Sequence, residues 1–232
     1  MSTFDEHAHK YDGWFVNNHN VLESEVLLVK QLVDPPGEAL SVGCGSGLFE
    51  ARLREDHGVV IGRGVEPSEG MARIARDRGL DVTIAPAEAL PFDEGQFDTV
   101  LMNGITAYVD TLSRAVAQAR RVLRPGGRIV MCDVPATSGY GLLYRLAAEV
   151  GGWDDPHLRR VAPAVPYPVA FVAQARWRTT GELMDLLREQ GFQGFELAQT
   201  LTVHPRFSND AVEPPVAGHR RGGYVGIRAR RA

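Results

Sequence analysis

Leu22, Val26, Val29 and Val33 stand four, three and four residues apart, so they share one face of a helix. Pro35-Pro36-Gly37 ends it, because proline has no amide hydrogen to give the helical ladder. From there short apolar runs alternate with helical stripes. Ala39–Val42 predicts a first strand, then a glycine loop and a helix to about Asp56; residues 59–65 predict a second strand. Ser68 suits the N-cap of a helix carrying Met71, Ile74 and Ala75, and Gly79 closes it. Residues 82–85 and 97–102 predict a third and a fourth strand. Leu112, Ala115, Val116, Ala119, Val122 and Leu123 mark one face of a further helix, with Arg120, Arg121 and Arg124 at its negative dipole end. Pro125-Gly126-Gly127 stops that helix and residues 128–132 predict a fifth strand. Such alternation implies a parallel sheet covered on both faces. Sheets of this kind bind ligands beyond the carboxyl ends of their strands, so chemistry is expected after Val42, Val65, Ala85, Met102 and Cys132.

Residues 134–178 break the rhythm with Tyr140, Tyr144, Trp153, Tyr167, Phe171 and Trp177 among prolines and glycines. Connections this long are uncommon unless functional, so a lid-like insertion over the site is expected here. A helix at about 180–190 and strands at about 195–203 and 223–229 complete the chain. A single domain over 1–232 is expected, with 1–33 as an N-terminal leader and cap helix. A chain of 232 residues buries roughly 70–75% of its unfolded surface and needs no disulfide or metal staple. The net charge of −4 argues against a protein that coats nucleic acid or anionic membrane. Two cysteines, Cys44 and Cys132, point to a reducing compartment. Neither a secretory pattern nor an apolar run near the ~18–20 residues of a membrane span is present, so a cytoplasmic protein is expected.

The most informative stretch is Leu40-Ser41-Val42-Gly43-Cys44-Gly45-Ser46-Gly47. Glycines at alternate positions between a strand and a helix let the chain turn sharply and let a ligand lie against bare backbone. A dinucleotide fingerprint needs glycine at 48, where Leu48 stands, which disfavours a nicotinamide-dependent oxidoreductase. No Lys-Ser/Thr pair follows, so this is no phosphate-binding P-loop. About twenty residues on, Glu66 in Gly64-Val65-Glu66-Pro67-Ser68 sits at a strand tip, where a carboxylate can accept both hydroxyls of a ribose.

With Ala87-Glu88-Ala89-Leu90-Pro91-Phe92, Phe97-Asp98-Thr99-Val100 and Leu123-Arg124-Pro125-Gly126-Gly127 following in order, the chain resembles the class I S-adenosylmethionine-dependent methyltransferases, in their small-molecule branch. The resemblance is close over about 38–133 and looser beyond. It implies an α/β fold: a doubly wound, mostly parallel, seven-stranded sheet with an antiparallel last strand and helices on both faces. It implies that the loop Gly43, Cys44, Gly45 and Gly47 faces the methionine part of S-adenosyl-L-methionine. Glu66, beside Pro67, would hold the ribose, and Ala87 and Glu88 would border the adenine. The loop from Asn103 to Tyr108 would lie beside the reacting methyl, and Tyr11, in Tyr11-Asp12-Gly13-Trp14-Phe15, looks like the tyrosine that closes over the cofactor in this branch. Tyr11 or Trp14 can set a π face against a sulfonium. Two departures stand out: Ser41 occupies a position where the family often has an acid, and Pro86 one where it often has aspartate.

The same loop narrows the acceptor. Asn103-Gly104-Ile105-Thr106-Ala107-Tyr108 is not the Asn-Pro-Pro-aromatic grip of adenine-N6 methylation; Cys132 follows Met131 and so is no Pro-Cys nucleophile for cytosine-C5 methylation. Paired glutamates for protein-arginine methylation are missing between Leu101 and Ala148, and two cysteines are too few for arsenite. Transfer to O, N, S or C of a small molecule remains, with no DNA or membrane partner and a monomer or homodimer as the expected state. Tyr108 and His204 are the candidate catalytic residues, and Asp133 is a weaker one. His7-x-His9 lacks a third ligand, so no metal is expected. Two other readings stay open: an RNA-modifying methyltransferase, on the basic end His219, Arg220, Arg221, Arg228, Arg230 and Arg231, and a non-catalytic cofactor-binding regulator.

Overall fold

The computed structural model describes residues 3–232, with side chains from residue 10 onward. His7 and His9 therefore lie outside the described side chains, and no metal-holding cluster of histidine, cysteine or acid occurs among the described residues. The chain runs α1 (Thr3–Asn17), α2 (His19–Val33), β1 (Ala39–Val42), α3 (Leu48–His57), β2 (Arg63–Val65), α4 (Glu69–Asp77), β3 (Asp81–Thr83) and β4 (Phe97–Asn103). It continues through α5 (Leu112–Val122), β5 (Leu123–Asp133), α6 (Gly139–Glu149), α7 (Val169–Val172), α8 (Thr180–Glu189), β6 (Phe192–Thr200), β7 (Val216–Ala217) and β8 (Tyr224–Arg231).

The strands form one sheet in the order β3-β2-β1-β4-β5-β8-β6-β7. Pairs from β3 across to β5 are parallel, while β8 is antiparallel to both β5 and β6. This is the doubly wound, mostly parallel sheet with an antiparallel last strand. It has eight strands instead of seven, because Val216 and Ala217 in the final linker pair with Gln199 and Ala198 at the edge. The chain order reverses between β1 and β4, which opens a crevice above their carboxyl ends.

Each helix stripe read from the sequence packs inward. Leu22, Val26, Val29 and Val33 on α2 join one core layer with Leu101, Val130 and Cys132 of the sheet. Ala115, Val116 and Ala119 on α5 and Leu183 and Leu187 on α8 fill the opposite face. Ser68 Oγ accepts from Met71 N at 3.2 Å, the expected cap, and Thr179 with Glu182 forms a capping box on α8. Boundaries differ in two places. Strand β2 starts at Arg63, because Val59 N still bonds Leu53 O at 2.9 Å and continues the turn after α3. Strand β5 begins directly at Leu123, which pairs with Phe97 before a register shift carries the chain around Pro125-Gly126-Gly127. The leader is a helix, α1, and the segment 134–178 contributes α7 against it and α6 against α7. No described helix is long and apolar enough to cross a membrane.

Candidate functional site

Gly43, Gly45 and Gly47 all have left-handed backbones, with φ of 67°, 55° and 69°. At Gly43 the need is also steric, since a Cβ there would stand 2.7 Å from Ile105 Cγ2. Gly43 N and Cys44 N both bond Val65 O, at 2.7 and 3.1 Å, which ties the loop to the tip of β2. From that tip the buried Glu66 reaches back. Its Oε2 accepts from Gly45 N and its Oε1 from Ser68 N, each at 2.9 Å. The acid expected to meet a diol thus also fixes the glycine loop opposite it. Gly47 plays another part: it is not among the cavity-lining residues, and a Cβ there would meet Ala75 Cα at 3.1 Å. It lets α3 start close against α4.

Between loop and sheet lies a cavity of about 530 Å³. Tyr11, Gly43, Cys44, Gly45, Glu66, Pro67, Ala87, Glu88, Asn103 and Tyr108 all line it, so these ten sequence-derived positions share one space. Glu88 also serves α5, since its Oε1 accepts from Thr111 N at 3.0 Å. Pro86 lines the cavity without supplying an acid. Ser41 does not leave its region uncharged: its hydroxyl donates to Glu50 Oε1 at 2.5 Å. Glu50, in the first turn of α3, is 4% exposed and lines the same cavity, and its Oε2 has no hydrogen-bond partner among the described residues. Burial raises the Glu50 carboxyl above its ordinary range, against the lowering pull of the Ser41 hydroxyl. Reading position 41 alone missed this acid. The signal was a glutamate among Phe49, Ala51 and Leu53, all of them buried.

Asp12 latches α1 over the loop. Its two oxygens take Ser46 Oγ at 2.5 Å and Arg78 Nη2 at 2.7 Å, and Arg78 Nη1 also donates to Ser46 O at 2.7 Å. This places Tyr11 at the boundary with a second, smaller cavity of about 60 Å³. Tyr11, Phe49, Asn103, Gly104, Ala107 and Tyr108 line both spaces. The Tyr224 hydroxyl donates to Asn103 Oδ1 at 2.9 Å, which turns the amide nitrogen of Asn103 away from that contact. Asp133 Oδ2 accepts from Thr106 N and Thr106 Oγ1, and its Oδ1 from Val134 N. The carboxylate thereby holds the loop that carries Tyr108. Burial, with Asp133 nearby, pushes the Tyr108 phenol up, so at neutral pH it keeps its proton.

The segment 134–178 closes the second cavity with Tyr144, Tyr167 and Trp177, and gives Gln174 and Arg176 to the first. Arg176 N bonds Ala107 O and Ala136 N bonds Arg178 O, both at 2.8 Å, which fastens both ends of the segment near the β4 loop. Trp14 lines only the second cavity, and its indole N–H donates to Val165 O at 2.9 Å. The structure does not bring His204 to the site. Strand β6 ends at Thr200, and His204 is an exposed cap whose Nδ1 accepts from Arg206 N. The basic end is partly consumed within the fold: Arg228 pairs with Glu196, and Arg231 with Glu94 and with the Leu123 carbonyl.

Residues 40–131 match the model of a family described as "Methyltransferase domain". A solved S-adenosylmethionine-dependent methyltransferase of Thermotoga maritima, described as a possible histamine N-methyltransferase, is 34% identical. That alignment covers 99% of this chain and 98% of the other, with a TM-score of 0.84. An uncharacterized protein of Methanocaldococcus jannaschii is 30% identical over 99% of this chain and 98% of its own. The 27-O-demethylrifamycin SV methyltransferase of Amycolatopsis mediterranei is 29% identical over 83% of this chain and 76% of its own.

Proposed function

The chain belongs to the class I S-adenosylmethionine-dependent methyltransferases, and from that premise we propose that it methylates a small organic acceptor whose reacting end enters the second cavity from the junction of the two spaces. The two adjoining spaces with a shared wall at Tyr11, Asn103 and Tyr108 carry this reading. The first lies within the ~300–1,000 Å³ range of small-molecule sites. When bound there, S-adenosylmethionine supplies an electrophilic methyl on a sulfonium centre.

The residues present fit that molecule. Glu66 lines the crevice with each carboxylate oxygen fixed by a backbone amide, which pre-sets it for a vicinal diol. Glu50 offers a buried carboxylate oxygen with no partner among the described residues, which suits the ammonium of the methionine part. It supplies from α3 the acid that Ser41 does not. Ala87 and Pro86 provide an apolar border for a purine. Tyr11 sets its ring at the junction, where the electron-rich face favours a cation by ~0.5–2 kcal/mol. Displacement at a methyl group needs alignment above all, and positioning supplies ~7–11 kcal/mol. In this chain α1 and the 134–178 segment provide it by enclosing the acceptor.

Glu50→Gln should weaken S-adenosylhomocysteine binding by about 10-fold or more, since a hydrogen bond to a charged group contributes ~1.5–3 kcal/mol. The same change should leave thermal stability of the ligand-free protein equal or higher, because it removes a buried charge. Calorimetric titration beside a melting curve checks both, and unchanged affinity would remove Glu50 from the cofactor site. The reading as a whole is tested by release of S-adenosylhomocysteine across a panel of small alcohols, phenols, amines and thiols. Turnover with a member of the panel is expected. Tight cofactor binding with no turnover on any class would favour the regulator instead. The named acceptors of the Thermotoga and Amycolatopsis relatives differ from one another, so the attacked atom must come from this chain's own second cavity.

A further inference from the structure

Glu25 projects from α2 into the second cavity, is 6% exposed, and receives no hydrogen bond or ion pair among the described residues. It stands with Asp133 in a chamber whose walls include Tyr11, Trp14, Tyr144, Tyr167, Trp177 and Tyr224. Among the described residues no lysine, arginine or histidine lines this space. The donors on two of the rings are already spent, Trp14 Nε1 on Val165 O and the Tyr224 hydroxyl on Asn103 Oδ1. Asp133 is spent as well, on Thr106 and Val134, which leaves Glu25 as the acid of this chamber without a partner among the described residues. The chamber thus presents acidic groups and π faces, and a carboxylate-bearing acceptor would meet two acids and no cation among the described residues.

Resting on the methyltransferase reading above, we propose that the acceptor is a primary or secondary amine whose nitrogen is held by the Glu25 carboxylate within this aromatic chamber. A buried acid surrounded by rings loses solvation, and an ammonium restores a charge partner while the rings attract it. Burial first, and Asp133 second, hold the Glu25 carboxyl well above its usual range in the empty chamber, and an ammonium seated beside it favours the ionised form that can take a proton. The step then balances. The ammonium gives one proton to Glu25, and the freed nitrogen lone pair forms the N–CH3 bond. The S–CH3 bond breaks with its electron pair left on sulfur, giving a methylammonium, a protonated Glu25 and neutral S-adenosylhomocysteine.

The test is calorimetric titration of the full chain, saturated with S-adenosylhomocysteine, with benzylamine, phenethylamine and ethylamine. Benzyl alcohol, phenylethanol and phenylacetate serve as matched controls. At least one amine should bind about 10-fold or more tightly than its alcohol, and the carboxylate should not bind. Glu25→Gln should erase that preference while leaving S-adenosylhomocysteine affinity within about two-fold, since the variant lies outside the first cavity. Alcohols binding as well as amines, no amine binding, or the preference surviving in the variant would each overturn the proposal. Failure of S-adenosylhomocysteine to bind the wild-type chain would instead strike the reading on which it rests.

Discussion

Exchanging Glu66 for glutamine is expected to cut affinity for S-adenosylmethionine and S-adenosylhomocysteine by about 100-fold, the largest loss from any single polar change in the site. A carboxylate that accepts from two hydroxyls contributes ~1.5–3 kcal/mol for each bond, and two such bonds give roughly that factor or more. The structure adds a second cost. Glu66 accepts from Gly45 N on one oxygen and from Ser68 N on the other, so an amide must turn its NH2 toward one of these donors. Either the glycine loop or the N-terminal turn of α4 then loses its fastening. Titration of the folded variant with S-adenosylhomocysteine reads the effect, and an affinity within a few-fold of wild type would detach Glu66 from the ribose.

Gly43→Val should abolish cofactor binding within the range of calorimetry, a loss above about 100-fold, and should also destabilise the protein. A β-branched residue at φ of 67° is strained, at a cost on the order of 1–3 kcal/mol. Its Cβ would stand 2.7 Å from Ile105 Cγ2, so the loop after β4 must move away. Its methyl groups would enter the space the ligand needs. For a chain of this size the strain corresponds to a fall in Tm of roughly 2–10 °C. Binding within about 10-fold of wild type, together with an unchanged melting point, would show that this backbone position is not pressed against a ligand.

The parts of the site that could be read from sequence are those fixed by neighbours along the chain. Gly43, Gly45 and Gly47 announce their conformation by composition, and Glu66 follows from its distance to them and its place at a strand end. Both rest on local geometry that tertiary packing leaves intact. Glu50 and Glu25 were not legible in the same way, because each is an acid on a helix face that otherwise turns inward. Glu25 lies three residues after Leu22 and four before Val29, within the apolar stripe of α2, and only the sheet and the rings beyond it reveal that a cavity waits there. The helical state of α1 escaped for a related reason. Trp14 and Phe15 pack on Tyr167 and Phe49, partners far away in sequence, and the flanking residues are polar. His204 lies away from the site because strand β6 stops at Thr200, three residues short of its predicted end, and a short 3₁₀ turn at Pro205–Phe207 carries the imidazole to the surface.

The arrangement joins these pieces into one device. Carboxylates from α2, α3 and the tip of β2 point into two linked spaces, and α1, pinned by Asp12 to Ser46 and Arg78, roofs the junction. The most direct test is a crystal structure of the chain with S-adenosylhomocysteine. The account places the ribose diol on Glu66, the ammonium beside Glu50, and the sulfur at the wall of Tyr11, Asn103 and Tyr108, facing Glu25 and its ring of aromatics. A nucleoside found outside this crevice, or one whose sulfur points away from the second cavity, would contradict it.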